Sequence, residues 1–230
     1  MRRGALATTT ARPKPSRDAA ATRERILKAA KLEFAKKGLA GARVDEIADR
    51  ASINKRMLYV YFGNKEDLFL AVLEDAYADI RQAEQKLSLE HLEPIEALTK
   101  LVRFTWSYYL KHPEFLRLVN SENLHRARHL KRSARIQEMH SPFVKMIGDL
   151  LERGARTGLF RRGIDPNQLY ISIAALGYYY LTNRFTLSVI YGRNLGAAPA
   201  LDERRLAIED MVLRTVLVSG KAGEESSIST

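Results

Sequence analysis

The sequence contains no cysteine, which excludes disulfide bonds, a thiolate nucleophile and cysteine-ligated zinc and fits a reducing cytoplasm. The longest apolar stretch, residues 171–190, is too polar to cross a bilayer because Asn183 and Arg184 interrupt it. No segment alternates between branched apolar and polar residues, so β-strands are not expected. Glycine-rich phosphate loops, GxSxG and HExxH patterns are also absent. The sequence therefore predicts an all-α, cytoplasmic protein that is not an enzyme, without cofactor or metal.

What the chain does contain is apolar residues at three- and four-residue spacing, which predicts about nine helices. The predicted helices cover residues 22–37, 44–51, 55–62, 65–87, 94–111, 114–123, 143–156, 166–191 and 202–219. Gly38 should end the first helix in a left-handed conformation, and Pro142 should start the seventh. Asp202 should cap the last helix.

The segment Arg43–Leu68 combines two short helical patterns with a tight break at 52–54. In the second pattern, Leu58 and Phe62 form an apolar face beside basic, polar and tyrosine side chains. This is the layout of a helix-turn-helix, in which one helix braces and the next presents its polar face to the DNA major groove.

The positive charge is concentrated in the same part of the chain. Residues 1–65 hold 16 Lys and Arg against 6 Asp and Glu, whereas the other 165 residues hold 22 against 21. A basic patch gains affinity for duplex DNA by releasing condensed counterions, although RNA or an acidic membrane would attract it as well. Together with the helix-turn-helix pattern, the charge favours DNA.

Spaced residues over 22–70 give the chain a resemblance to the TetR (tetracycline-repressor-type) family of bacterial transcriptional regulators. They read FAKKG at 34–38, VxxIA at 44–48 and LYxYFxNKEDL at 58–68. The resemblance implies an N-terminal three-helix helix-turn-helix DNA-binding domain followed by a C-terminal helical bundle for ligand binding and dimerisation. It also implies a dimeric, ligand-responsive repressor that a small-molecule effector releases from a pseudo-palindromic operator. The alternative is a DNA-bound protein-interaction module of the same fold without a metabolite ligand.

The resemblance also assigns positions for contact with double-stranded DNA. They are Arg43, Asn54, Lys55, Arg56, Met57, Tyr59, Tyr61 and, at a phosphate, Lys65. Two alternatives stay open, because Tyr59 could simply pack against helix 1 and Lys65 could be a solvated charge. The chain departs from the family pattern at Ser52, where a glycine is usual, and at Arg43, where a Ser or Thr cap is usual.

These observations divide the chain into four parts. We expect a disordered basic arm over 1–21, a DNA-binding domain over 22–66, an effector-binding and dimerisation domain over 67–219 and a disordered tail over 220–230. The arm is rich in arginine and proline, so it could add phosphate or minor-groove contacts, or have no role at all.

Helices 8 (166–191) and 9 (202–219) carry apolar side chains around most of their surface. A helix with only one polar stripe must be covered on at least two sides, so both should pair with their copies in a homodimer. The alternative, for helix 8 alone, is a central core helix.

Aromatic residues on helices 5, 7 and 8 are candidates for an effector pocket, with plain core packing as the alternative. They are Trp106, Tyr109, Phe143 and Tyr178. Arg184, if buried, would need a protein carboxylate or an anionic effector.

His125 and His129 have the i, i+4 spacing of a metal-binding pair. No carboxylate or third histidine was expected beside them, and the neighbouring arginines and lysine would repel a cation. The sequence therefore predicts a solvated basic surface at 125–135.

Overall fold

A computed structural model describes residues 17–218, and this part of the chain forms nine α-helices, which confirms the predicted all-α class. The helices are α1 (Arg17–Gly41), α2 (Val44–Arg50), α3 (Lys55–Phe62), α4 (Lys65–Gln85), α5 (Pro94–Lys111), α6 (Pro113–Leu124), α7 (Ala134–Arg156), α8 (Pro166–Ile190) and α9 (Ala198–Val216). Single 3-10 turns occur at Leu89–His91 and Leu130–Arg132. Within the described residues, no helix is both long and apolar enough to span a membrane.

The first helix begins five residues before the predicted start at Thr22. Three consecutive alanines at 19–21 favour helix and Asp18 lies in the first turn, where the helix dipole favours a negative charge. The expectation of disorder is therefore wrong for 17–21, while the rest of the predicted arm and the predicted tail lie outside the described residues. Gly38 breaks the helix at φ 67°, as predicted, before one more turn continues to Gly41.

The seventh helix is longer than predicted, because it runs through Pro142 instead of starting there. Proline removes one backbone donor from the helix, but Pro142 lies on the exposed face, where water can satisfy the freed carbonyl. The hydrogen-bond loss is thus small enough for the helix to continue.

The predicted cap of the last helix at Asp202 is also wrong. Helix α9 begins at Ala198, with Pro199 in its first turn, and its N-cap residue Ala197 makes no side-chain cap. Proline at this position has the helical φ already fixed and lacks a donor that the first turn could not use anyway, so it starts a helix without a polar cap.

The core extends without a break from the helix-turn-helix into the bundle. Helix α1 packs against α2, α4 and α6, while α5 packs against α7, α8 and α9. Fully buried side chains mark this continuous core: Ile26, Phe34, Ile47, Leu58, Phe69, Ile80, Leu98 and Leu101. Helix α4 belongs to both halves, since it begins next to α3 and ends inside the bundle.

The reading of 125–135 as a solvated surface is wrong for His129, which is fully buried. Its Nδ1 lies 2.6 Å from Oε2 of Glu122, and Oε1 of the same carboxylate accepts the backbone N–H groups of His129 and Leu130. The chain reverses between them through left-handed residues Arg126 and Ala127. This reversal brings into contact two residues that a continuous helix would hold about two turns apart. No cluster of potential metal ligands occurs in the described part of the chain.

Candidate DNA-binding and effector sites

The helix-turn-helix forms where it was predicted, and one residue of its turn has a left-handed backbone conformation. Ser52 has φ 54°, so it accepts the conformation that a glycine would adopt with less strain. The turn is closed by a hydrogen bond from the Ile53 N–H to the Ala48 carbonyl, at 3.0 Å. The missing glycine therefore changes the cost of the turn but not its geometry.

The missing cap of α2 is replaced by a side chain from α1. Arg43 is the N-cap residue and makes no side-chain cap, but its backbone N–H donates to Glu33 Oε1 at 3.3 Å. Burial raises the pKa of Glu33, yet its partners Lys37, Arg43 and Arg50 outweigh that effect and hold the pKa below its ordinary value. The Arg43 side chain is left exposed beside α3.

Helix α3 is held by its cap and by two buried side chains. The Asn54 side chain accepts the Met57 N–H at 2.8 Å, which satisfies one free donor of the first turn. Leu58 and Phe62 are buried against the core. The opposite face is exposed at Lys55, Arg56, Met57, Tyr59 and Val60.

The ammonium group of Lys55 forms an ion pair with Asp45 of α2, at 2.9 Å. This hydrogen bond raises the pKa of Lys55 and lowers the pKa of Asp45. Arg56 has no such pair within the described residues, so its guanidinium is free to hold a phosphate or the edge of a guanine.

The remaining predicted DNA-contacting residues differ in exposure. Tyr59 keeps 39% of its surface exposed, whereas Tyr61 is half-buried and its ring lies 6.4 Å from that of Phe62. Lys65 is half-buried and donates to the Ala40 carbonyl at 3.2 Å. Val60, which the sequence reasoning missed, is 70% exposed on the same helix, an unusual position for a valine.

A cleft of about 560 Å³ opens in the bundle between α4, α5, α6, α7 and α8. Aromatic side chains provide much of its wall, together with one cation and aliphatic groups of α6 and α8. The lining residues are Tyr77, Arg81, Tyr109, Phe115, Leu116, Val119, Asn123, His140, Asn167, Tyr170, Ile171, Ala174, Ala175 and Tyr178. Such a concave, largely apolar site with few polar groups is typical of small-molecule binding.

One wall of this cleft contains a buried polar triad. Arg81 donates to the Tyr170 hydroxyl at 2.9 Å, and that hydroxyl donates to Glu84 Oε1 at 3.2 Å. Arg81 Nε and Glu84 Oε2 are 3.0 Å apart. Burial raises the pKa of Glu84 to about 7, although the charge of Arg81 and the bond from Tyr170 act in the opposite direction.

The structure separates the predicted effector residues into three groups. Tyr109 and Tyr178 line the cleft. Trp106 and Phe143 are buried outside its lining: the Trp106 ring lies 5.9 Å from that of Tyr180, and the Phe143 ring lies against Arg81. Arg184 is half-buried at a different pocket of about 160 Å³, so it needs no acidic partner.

Sequence reasoning missed Tyr77, Arg81 and His140, which all line the cleft. The available signal was weak, because Arg81 follows the apolar stripe of α4 and an arginine at a helix end usually extends into water. Its partner Tyr170 is 89 residues away in the sequence.

Helices α8 and α9 leave an apolar surface uncovered in the single chain. The exposed side chains are Ile171, Tyr179, Phe185, Val189, Ile190, Leu206 and Met211. Surfaces of this kind are unusual on a monomer and mark an interaction site.

The fold and these sites define a helix-turn-helix DNA-binding protein with a helical regulatory bundle. Comparison with known families agrees: residues 26–72 match the description "Bacterial regulatory proteins, tetR family", and residues 94–212 match "Tetracyclin repressor-like, C-terminal domain". The chain belongs to the TetR family of bacterial transcriptional regulators.

Individual relatives support the same assignment. The HTH-type transcriptional repressor NicS of Pseudomonas putida is 42% identical over 84% of this chain and 91% of its own length. The HTH-type transcriptional repressor SCO4008 of Streptomyces coelicolor is 32% identical over 86% of this chain and 99% of its own length. Among solved structures, the regulator SCO4942 of Streptomyces coelicolor superimposes with a TM-score of 0.63 at 26% identity, covering 85% of this chain and 98% of that one.

Proposed function

We propose that this protein is a cytoplasmic repressor that binds a pseudo-palindromic operator as a homodimer and leaves it when a small molecule occupies the bundle cleft. In this proposal residues 22–66 are the DNA-binding domain and residues 67–219 are the effector-binding and dimerisation domain. The observation that carries this proposal is that α3 exposes a basic face, while its opposite face is buried against the core.

The assigned DNA contacts follow from where each side chain lies. Lys55 and Arg56 stand at the amino end of α3, where a recognition helix meets base edges and phosphates. The exposed hydroxyl of Tyr59 can donate to a phosphate oxygen. Arg43 lies at the start of α2, where it can add a phosphate contact, and Asn54, Met57, Tyr61 and Lys65 complete the predicted surface.

The exposed apolar surface of α8 and α9 supports dimerisation through these two helices. Val189 is 83% exposed and Ile190 is 70% exposed, and burial of such side chains is the main favourable term in association. Two copies related by a twofold axis would present two recognition helices to successive major-groove faces.

Helix α4 provides the physical connection between the cleft and the DNA-binding helices. Its first turn follows α3 directly, while Tyr77 and Arg81 line the cleft. The segment after α6 also contacts the first turn of α4, because Arg128 and Arg132 form ion pairs with Glu66 and Asp67. An effector can release DNA only by binding more tightly to the arrangement of α4 that does not fit the operator.

The alternative, a protein-interaction module without a metabolite ligand, would be favoured by a solidly packed bundle. The cleft favours small-molecule binding, because its walls are mostly apolar with a few polar groups and its volume suits a compact metabolite.

A reporter experiment tests the proposed function. Genomic fragments that the purified protein retains are cloned upstream of a reporter gene in a strain without the protein. Expression should fall when the wild-type protein or the control Lys86→Ala is supplied, since Lys86 lies at the far end of α4. It should stay high with a Lys55→Ala/Arg56→Ala variant. Increased expression with the wild type, or equal repression by all three proteins, would overturn the proposal.

A further inference from the structure

The guanidinium of Arg81 is a buried cation with an incomplete set of hydrogen-bond partners, and its central carbon lies 4.0 Å from the centroid of the Phe143 ring. Only 5% of the residue is exposed. Nη2 donates to Tyr170, but Nε and Nη1 make no hydrogen bond in the described part of the chain. A buried charge that is only partly hydrogen-bonded is costly, so an arginine in this state is a candidate anion site.

The neighbouring carboxylate does not remove this deficit. Glu84 Oε2 lies 3.0 Å from Arg81 Nε, but neither atom has a hydrogen bond with suitable geometry. Glu84 is itself fully buried, and burial raises its pKa to about 7, so near neutral pH it is only partly ionised. The positive charge of Arg81 is therefore incompletely balanced.

The positive charge of Arg81 also affects the cleft. Arg81 belongs to the cleft wall, and burial together with the positive charge of Arg81 lowers the pKa of His140, which stands at the same cleft. A second hollow, lined in part by Ile136, Gln137 and Lys145 of α7, shares Tyr77, His140 and Asn167 with this cleft.

The rest of the wall suits a flat apolar body. The Phe115 ring is stacked on that of Tyr109 with centroids 6.1 Å apart and meets the Tyr77 ring edge-on at 5.4 Å. Leu116 and Val119 add aliphatic surface. Aromatic walls favour a ring in stacked or edge-on contact.

We propose that the cleft binds a small aromatic carboxylate, whose carboxylate group is held by the Arg81 guanidinium and whose ring lies among Tyr77, Tyr109 and Phe115. The planar guanidinium and a carboxylate match in a two-bond arrangement. This inference rests on the proposed function, because it names the chemical class of the effector for the same cleft.

The experiment measures binding by titration calorimetry in the absence of DNA. The probes are benzoate, phenylacetate and 2-naphthoate, each paired with its neutral amide. On the wild-type dimer, at least one acid should bind about tenfold or more tightly than its amide, as expected for a charge-assisted pair. If no acid binds more tightly than its amide, the inference is wrong, whatever the variants do.

Two variants locate the site and one serves as a control. Arg81→Met should abolish the preference for the acid. The Arg81→Met/Glu84→Gln variant should do the same without leaving Glu84 as an unpaired charge, which guards against loss of folding in the single variant. Arg103→Met removes a guanidinium of the same bundle that is paired with Glu209, outside the cleft, and should keep the preference. A preference that survives in both Arg81 variants would overturn the inference.

DNA binding is measured separately with the same samples. If an acid binds at Arg81 but does not release DNA, the carboxylate site stands and the proposed effector response fails. If the protein binds and represses its DNA while no acid is preferred over its amide, the proposed repressor role stands and the carboxylate inference fails.

Discussion

Lys55 Nζ, on the first residue of the recognition helix, lies 2.9 Å from Asp45 Oδ1 on the preceding helix. The lysine that is best placed to meet a phosphate is therefore already paired with a carboxylate of the same protein. If Lys55 contacts a phosphate as proposed, DNA binding replaces this ion pair, and Asp45 then lowers the affinity for any duplex.

Asp45→Asn should consequently bind DNA more tightly than the wild type, on the order of threefold to tenfold at low salt. The plot of log K against log salt concentration should also steepen by about one unit. In the wild type, a cation replaces Lys55 beside Asp45 when Lys55 moves to a phosphate. The variant has no carboxylate at this position, so the cation released from the DNA is not taken up again. Fluorescence anisotropy across a salt series measures both quantities. Glu46→Gln, which removes a charge from the same helix, is the matched control; equal effects of the two variants would contradict a specific role for the Lys55–Asp45 pair.

Arg56→Ala tests base reading at α3. If Arg56 holds a guanine by two bonds, its loss should cost about 1–3 kcal/mol of binding to the selected operator and relax the preference at one position. Competition with single-base operator variants measures that preference. Arg162→Ala, an exposed arginine between α7 and α8, should bind like the wild type. Unchanged affinity and preference in Arg56→Ala would exclude a role in base reading.

Glu84 should make folding stability depend on pH. Its pKa is raised by burial to about 7 in the folded protein, from an ordinary value of 4.5. Its contribution to stability is fully present below pH 4.5 and is lost as the pH rises through 7. Relative to Glu84→Gln, the wild type should lose about 3 kcal/mol of unfolding free energy over this interval.

Urea unfolding of both proteins at a series of pH values measures this difference. Other titratable groups near Glu84 do not obscure this difference. Burial raises the pKa values of Tyr108, Tyr109 and Tyr170, so these groups stay neutral between pH 4.5 and 7. His140 titrates in both proteins, so its effect cancels in the comparison. Parallel stability curves for wild type and variant would show that Glu84 is not held in a strongly buried state.

Val189→Glu should prevent dimerisation. Val189 is 83% exposed on α8, and a carboxylate there would be buried without a partner in the proposed interface. Sedimentation should give the wild type twice the chain mass of 26.1 kDa and the variant a single mass. Leu124→Glu is the control, because Leu124 is 80% exposed at the end of α6, and it should remain dimeric. A dimeric Val189→Glu protein would place the interface elsewhere.

Two glycines of α7 should respond oppositely to substitution by alanine. A Cβ at Gly154 would clash with the buried ring of Phe160, whereas a Cβ at Gly148 has its nearest neighbour at 3.9 Å. Gly154→Ala should destabilise the protein by about 1–3 kcal/mol through overpacking. Gly148→Ala should stabilise it by up to about 1 kcal/mol, since alanine favours helix. Thermal unfolding of both variants checks the difference, and equal melting temperatures would contradict this packing.

The sequence predicted the helix-turn-helix well because its determinants are local. The apolar spacing of Leu58 and Phe62 fixes which face of α3 is buried. Helix boundaries failed where a residue behaved differently from its usual role, as Pro142 did inside α7.

The interior polar groups could not be predicted, because their partners are distant in the sequence or lie across a turn. Arg81 is buried beneath Tyr170 of α8 and Phe143 of α7, and His129 is buried because two left-handed residues reverse the chain towards Glu122. Helical periodicity contains no information about either contact. The candidate cleft was therefore only partly foreseen, through Tyr109 and Tyr178.

The most direct test is to select duplexes from a random DNA library with the purified protein at low ionic strength and to determine the mass of the bound complex. We expect an enriched sequence with two inverted half-sites, separated by about one helical turn or a multiple of it, occupied by two chains. The Lys55→Ala/Arg56→Ala variant should enrich nothing. A monomeric protein that enriches no sequence, or a variant that selects the same one, would contradict the proposed mode of DNA binding.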